Sequence, residues 1–155
     1  MTAADTCRLA VIGWLDTLEP GQRAQATYPF PHPERFVWQY TPGPRGGLSL
    51  AEMDEAQQTA AWGVVDAALS ARGASEVRGI VALEPILGDI ERRSGRADSH
   101  RRDPGRYWFA VFGDPGNADG TPWSWRIGGH HVAVQATVLG KRMISAAPSF
   151  LGATP

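Results

Sequence analysis

The chain carries one cysteine, Cys7, among 155 residues. A single thiol excludes an internal disulfide and suits a reducing compartment. Charge of one sign is also missing. Fifteen Lys and Arg stand against 16 Asp and Glu, for a net charge of −1. No broad field therefore draws nucleic acid or an anionic membrane surface. No apolar run approaches the roughly 20 residues that cross a bilayer. The N-terminus lacks the basic start and apolar stretch of a secretory signal. The expectation is a cytoplasmic protein with neither a nucleic-acid nor a membrane partner. No HExxH, CxxC or phosphate-loop glycine pattern is present, and Ser145 and Ser149 have no recognisable triad setting.

What remains is a length suited to a single domain, residues 1–155, with one core. Hydrophobic residues make up 43% of the chain, as in ordinary soluble domains. Eighteen glycines and twelve prolines imply many turns, and six tryptophans are many for this length.

Helical spacing of Leu9, Ile12 and Leu15 predicts a short helix over 6–18, ended by Glu19-Pro20-Gly21. Five prolines between Pro29 and Pro44 make 28–48 an extended segment. Its aromatics, Phe30, Phe36, Trp38 and Tyr40, suggest an edge strand or an arm packed onto a surface. Ser49 and Glu52 form a capping box for a second helix, which runs to about Arg72 with Gly73 at its end. A third helix runs from near Ser75 to about Arg93, with Val77, Ile80, Val81, Leu83, Leu87 and Ile90 on its apolar face. Pro85 removes one of its hydrogen bonds and favours a kink. The cluster Arg92, Arg93, Arg96, Arg101 and Arg102, interleaved with Glu91, Asp98 and Asp103, reads as a solvated loop, with an anion site as the alternative. Strand patterns follow at 107–112, 123–127 and 130–139, then a glycine-first turn at Gly140-Lys141 into 143–145. The fold class is α+β, with N-terminal helices packed on one face of an antiparallel sheet formed by the C-terminal half.

Chemistry concentrates in one run, Trp123-Ser124-Trp125-Arg126-Ile127-Gly128-Gly129-His130-His131. The glycine pair suggests a bulge or a close backbone approach. If the strand begins at His130, alternation points His130 toward the helices and His131 away, so the two reach one metal only where the backbone is irregular. Glu84 falls within the apolar stripe of the third helix. A buried carboxylate requires a partner, and His130 supplies one if that helix packs over the strand. Such a pair is half a metal site or an oriented general base. The plainer readings are a salt bridge from Glu84 to an arginine, and a core histidine beside a surface one. A third ligand would come from His32, His100, Asp89 or Glu91, none of them fixed by spacing.

Two functions follow. The first is a metal-dependent enzyme domain acting on a small organic molecule. There Glu84 and His130 do acid–base work, His130 and His131 hold a divalent transition metal, and Arg126 holds an anionic substrate group. Trp38, Trp123, Trp125 and Tyr107 wall the pocket. A surface salt bridge is the plainer reading of Arg126. The second is a metal-free ligand-binding or assembly module that pairs with another chain through a sheet edge.

The run Pro-Phe-x-x-x-Glu-Arg-x-x-Trp-x-Tyr-Thr-Pro from Pro29 to Pro42 resembles the opening motif of domain-of-unknown-function family 3500. Arg45-Gly46-Gly47-Leu48, Leu83-Glu84 with Leu87, Trp123-x-Trp-Arg, Gly129-His130-His131 and Pro148-x-Phe-Leu-Gly-Ala-x-Pro resemble its later blocks, in order over nearly the whole chain. The resemblance implies no established chemistry. It implies members about twice this length, with a further half bearing another histidine motif. On that basis the histidine pair is half of a site, completed by a missing segment, a partner chain or a second copy. Members often carry an acidic residue where this chain has Gly128.

Overall fold

The computed structural model describes residues 1–96, 101–117 and 120–153. Four helices come first: α1 (Ala3–Asp16), α2 (Pro20–Ala26), α3 (Glu55–Ala68) and α4 (Ala71–Arg93). Seven strands build one sheet: β1 (Thr27–Tyr28), β2 (Leu48–Ser49), β3 (Tyr107–Phe112), β4 (Trp123–Gly129), β5 (Val132–Leu139), β6 (Arg142–Ser145) and β7 (Ser149–Leu151). The α+β class with N-terminal helices holds.

Capping decides where the helices begin. Thr2 and Asp5 form a reciprocal capping box, so α1 starts earlier than expected. Its inner face is Ala4, Cys7, Val11 and Trp14, at helical spacing, and Leu9 is left on the outside. Pro20 starts a helix rather than ending one. It occupies the first turn of α2, where its missing N–H costs nothing, behind a capping pair of Glu19 and Gln22. The Ser49–Glu52 box forms, but it caps only a 3-10 turn at Leu50–Glu52. A second box, Asp54 with Gln57, starts α3. That helix stops at Ala68 because Ser70 caps a new one: its side chain accepts from the amide of Gly73 at 3.1 Å. Gly73 thus lies in the first turn of α4 and does not terminate α3.

The central strands run in the order β1-β3-β4-β5-β6. β3, β4 and β5 are antiparallel, and the short β1 pairs parallel with β3. β2 also pairs with β3, so the N-terminal half contributes two short strands. β6 and then β7 line the far side of β5. One face carries Tyr107, Phe109, Trp123, Trp125, Ile127, Val132 and Val134 into a core shared with α1, α3 and α4.

The opposite face is buried as well, and an arm covers it. Residues 29–47 have no strand, only a 3-10 turn at Pro33–Phe36. Two buried arginines hold the arm down. Arg126 on β4 donates to the carbonyls of Glu34 and Val37, both at 2.8 Å, and of Gly46 at 3.0 Å. Arg45 donates to the carbonyls of Gln39 and Thr41 at 3.0 and 2.6 Å. The arm backbone is therefore fixed, while Phe36, Trp38 and Tyr40 remain about half exposed or more. No helix among the described residues is long and apolar enough to cross a membrane.

Candidate functional site

Gly129 pairs with Val132, so His130 and His131 are the two residues of the β4–β5 hairpin turn rather than the start of a strand. Alternation no longer applies to them. Their rings lie together, with centroids 4.0 Å apart and planes at 30°. The expectation that His131 faces away from His130 is thus corrected, because strand pleating ends at Gly129. His131 has φ +57° and is the sole non-glycine residue with positive φ among those described. Gly and Asn usually fill such positions, since a Cβ there is costly. Two backbone bonds fix the turn. The His131 amide donates to Tyr40 at 2.8 Å, and the Gly152 amide donates to His131 at 2.9 Å.

Gly128 and Gly129 keep regular register with β3 and β5, so no bulge forms. The close-approach reading holds instead. A Cβ on Gly129 would strike the ring of Tyr107. Gly129→Ala is expected to cost about 1–3 kcal/mol, an overpacking penalty, measurable by urea unfolding. It should also shift the Tyr107 hydroxyl, which donates to the His130 carbonyl at 2.9 Å.

α4 supplies the acid groups. Its inner stripe is Val77, Val81, Glu84, Gly88 and Glu91, so the buried face turns acidic after Val81. Leu83 and Ile90, expected on the apolar face, are 40% and 51% exposed. Glu84 is 3% exposed, and its Oε1 lies 2.5 Å from Nδ1 of His130. The expected carboxylate–imidazole pair is present. A carboxylate facing Nδ1 accepts a hydrogen bond from Nδ1–H and so fixes the tautomer with the proton on that nitrogen.

Arg102 completes the cluster, and the sequence reading missed it. Its side chain is 12% exposed, not solvated. Nε and Nη2 donate to the two oxygens of Glu91 at 2.9 and 2.8 Å, the fork geometry guanidinium favours. Nη1 lies 3.2 Å from both ring nitrogens of His130. Equal distances place it over the ring, not in line with either lone pair. The available signal was the seven-residue spacing of Glu84 and Glu91, which puts both on one helix face and calls for a cation between them.

The charges perturb their neighbours. Hydrogen bonds from Arg102 hold the Glu91 carboxyl below its usual range. Burial, with the charges of His130 and Arg102, holds His131 below the ordinary imidazole value. Burial and the Glu84 carboxylate push the Tyr107 phenol far up. Burial also pushes the Cys7 thiol up to about 12, which removes it as a nucleophile.

Stability should fall on acidification in two stages. Below about pH 6.5 the unfolded chain protonates His131 while the folded state resists, so stability is lost until the folded value is reached. Below about pH 4.3 the unfolded chain protonates Glu91 first, and the contribution of its ion pair disappears as pH falls through the depressed folded value. Urea unfolding from pH 8 to 3 reads both stages. His131→Asn should remove the upper one alone.

The other predicted residues are dispersed. Arg126 sits on the opposite sheet face, 3% exposed, with Nη2 2.7 Å from Oε1 of Glu34, and its hydrogen bonds serve the arm. Trp123 and Trp125 are core residues under the helices. Tyr107 lies beneath the turn. Trp38 faces outward, and its ring approaches Tyr40 and Phe150, which in turn approach His131. His32 caps the 3-10 turn by accepting from the amide of Glu34, and Asp89 pairs with Arg92 on the surface. His100 lies outside the described residues. Among the described residues no three of His, Cys, Asp and Glu are arranged to hold a metal ion. Beside the pair, Leu83, Leu87 and Ala153 help enclose a cleft of about 10 Å³. That space admits roughly one water molecule.

No curated protein and no solved structure shows significant similarity to the chain. A family model, described as protein of unknown function (DUF3500), matches residues 2–155, and the chain belongs to that family.

Proposed function

We propose that the β4–β5 turn is a proton-transfer site for a small organic molecule, with His131 meeting the substrate. The observation that carries this reading is a histidine at φ +57° held above a buried 2.5 Å carboxylate–imidazole pair. Glycine would relieve the backbone at no steric cost, so the position is occupied for its imidazole. Perturbed titratable groups gathered at one point are a mark of functional sites.

Roles follow from geometry. His131 is partly exposed and stays neutral near pH 7, so it accepts a proton. Glu84 holds the tautomer and orientation of His130, and His130 supports His131 by ring contact. Both are positioning residues. The cleft beneath is too small for a substrate, so the molecule meets His131 from the open side. A metal-dependent version has less support, because Arg102 places fixed positive charge against both nitrogens of His130.

The test is a turnover screen on small organic molecules, followed by variants. His131→Ala and Glu84→Gln should each lower kcat by about 10²-fold or more. The rate should rise with pH as His131 loses its proton, and dialysis against a chelator should leave it unchanged. His131→Gly should abolish turnover yet raise the unfolding free energy by about 1 kcal/mol through relief of the left-handed backbone. Imidazole nitrogen NMR supplies a readout that needs no substrate. A His131 protonated at pH 7, or full activity in both variants, would sink the reading.

A further inference from the structure

The groups around His131 restrict the class of molecule that can meet it. Tyr40 of the arm and Phe150 of β7 flank its ring, with centroids 6.5 and 6.4 Å away. Tyr40 and Phe150 lie 5.3 Å from each other, and Trp38 lies 6.4 Å from both. These spacings fall in the roughly 4.5–7 Å range of packed aromatic pairs. The three rings form one shelf that ends at the imidazole. Two features hold it there. The His131 amide donates to the Tyr40 carbonyl at 2.8 Å. A Cβ on Gly152 would lie 3.0 Å from the Phe150 ring, so glycine at that position leaves room for the ring.

The shelf is open to solvent. Trp38 and Tyr40 are 48% and 49% exposed, and Phe150 and His131 are partly exposed. Large aromatic side chains gathered at a surface, on an arm whose backbone is pinned, mark a contact site. Leu83 and Leu87 of α4 border the cleft beside His131, so aliphatic carbon meets the imidazole there as well. The charges beneath are matched to one another, Glu84 to His130 and Glu91 to Arg102. What the site presents around its base is therefore largely ring and aliphatic surface.

We infer, on the proton-transfer reading, that the substrate of the histidine turn is a phenol, a flat aromatic ring bearing an O–H. Its ring packs on Tyr40 and Phe150, and its hydroxyl donates to the His131 imidazole. The O–H bond breaks as an N–H bond forms on His131, leaving a phenolate and an imidazolium.

Binding to the full chain at pH 7, followed by imidazole nitrogen NMR, tests the class with three probes. These are phenol, anisole with the hydroxyl blocked, and cyclohexanol without the flat ring. Phenol should bind saturably and move the His131 signals, and each of the others should bind at least about 5-fold more weakly. Tyr40→Leu should weaken phenol by a similar factor and erase its advantage over cyclohexanol. His131→Ala should erase its advantage over anisole. Trp38→Leu, at the outer end of the shelf, gives the ring readout if Tyr40→Leu fails to fold. Absence of saturable phenol binding up to about 10 mM, equal binding of anisole or cyclohexanol, or unchanged phenol affinity in both ring variants overturns the proposal. With His131 neutral at pH 7, any of these results removes the phenol class and leaves the proton-transfer reading standing. A His131 protonated at pH 7 in the free protein removes both.

Discussion

Replacing Arg102 by methionine is expected to lower the unfolding free energy by about 3–5 kcal/mol at pH 7, the cost of stripping one partner from a buried ion pair. The loss arises from what remains. Glu91 is 4% exposed and takes both of its close hydrogen bonds from Arg102. Glu84 lies two helical turns away on the same stripe, so two carboxylates would face the core with His130 beside Glu84 and the exposed Arg96, 3.6 Å from Glu91, as their remaining partners. Methionine keeps much of the side-chain volume, which separates lost charge from lost packing. Two controls identify the cause. The double variant Arg102→Met/Glu91→Met should recover most of the loss, since paired replacement by apolar groups is often neutral. The difference between wild type and Arg102→Met should also narrow as pH falls through the Glu91 titration. A loss below about 1 kcal/mol would mean that the pair behaves as a surface bridge. Because Arg102 also covers His130, imidazole nitrogen NMR should report a changed His130 environment in the same variant.

Arg126→Met is expected to cost a similar amount, about 3–5 kcal/mol, and to act on the arm. Arg126 is a cation 3% exposed whose terminal nitrogens reach three carbonyls and one carboxylate, drawn from Glu34, Val37 and Gly46. Losing it strips the carbonyls of Val37 and Gly46 of this donor, leaves the Glu34 carbonyl and carboxylate only the amides of Val37 and Gly46, and loosens the arm over Trp108, Ala110 and Phe112. Hydrogen exchange should therefore rise first in residues 29–47, and a protease should cut there before the core unfolds. Arg126→Lys should not restore stability, because one ammonium cannot reproduce the planar fork. Glu34→Gln keeps an acceptor and should cost nearer 1 kcal/mol. If the arm stays protected in Arg126→Met, Arg45 alone holds it.

Much of the fold is legible in local pattern. Tyr107–Phe112, the end of α4 at Arg93 and the Gly140-Lys141 turn all follow from periodicity and turn chemistry. The misread boundaries share a cause. Ser49, Ser70 and Pro20 each suit more than one position at a helix end, and spacing alone does not choose between them. Ser49 caps a single 3-10 turn because Asp54 offers a second box five residues later. Gly73 looks like a terminator, yet the Ser70 hydroxyl begins a new helix around it.

The site divides along the same line. Glu84 can be placed on an inward stripe by counting residues, and its need for a partner follows from the cost of burying charge. That His130 meets it also follows, once the helix is taken to cover the sheet. Arg102 is different. In the chain it is one arginine among many in a polar stretch, and nothing local separates it from Arg101. Only the packing of the 101–106 segment against α4 makes it the counter-ion of Glu91. His131 is different too. An adjacent pair of histidines reads as alternating strand residues until the pairing of Gly129 with Val132 turns them into a hairpin tip.

By itself, then, the sequence determined the α+β class, the inward carboxylate of α4 and the run where the chemistry gathers. These rest on periodicities and burial costs that act over a few residues. Only the tertiary structure decided that the two histidines stack, that Arg102 joins them and that Arg126 serves the arm. The first depends on the pairing of Gly129 with Val132 that turns the histidines into a hairpin tip, and the other two on groups 28 or more residues apart, brought together by strand register and helix packing that no local pattern encodes.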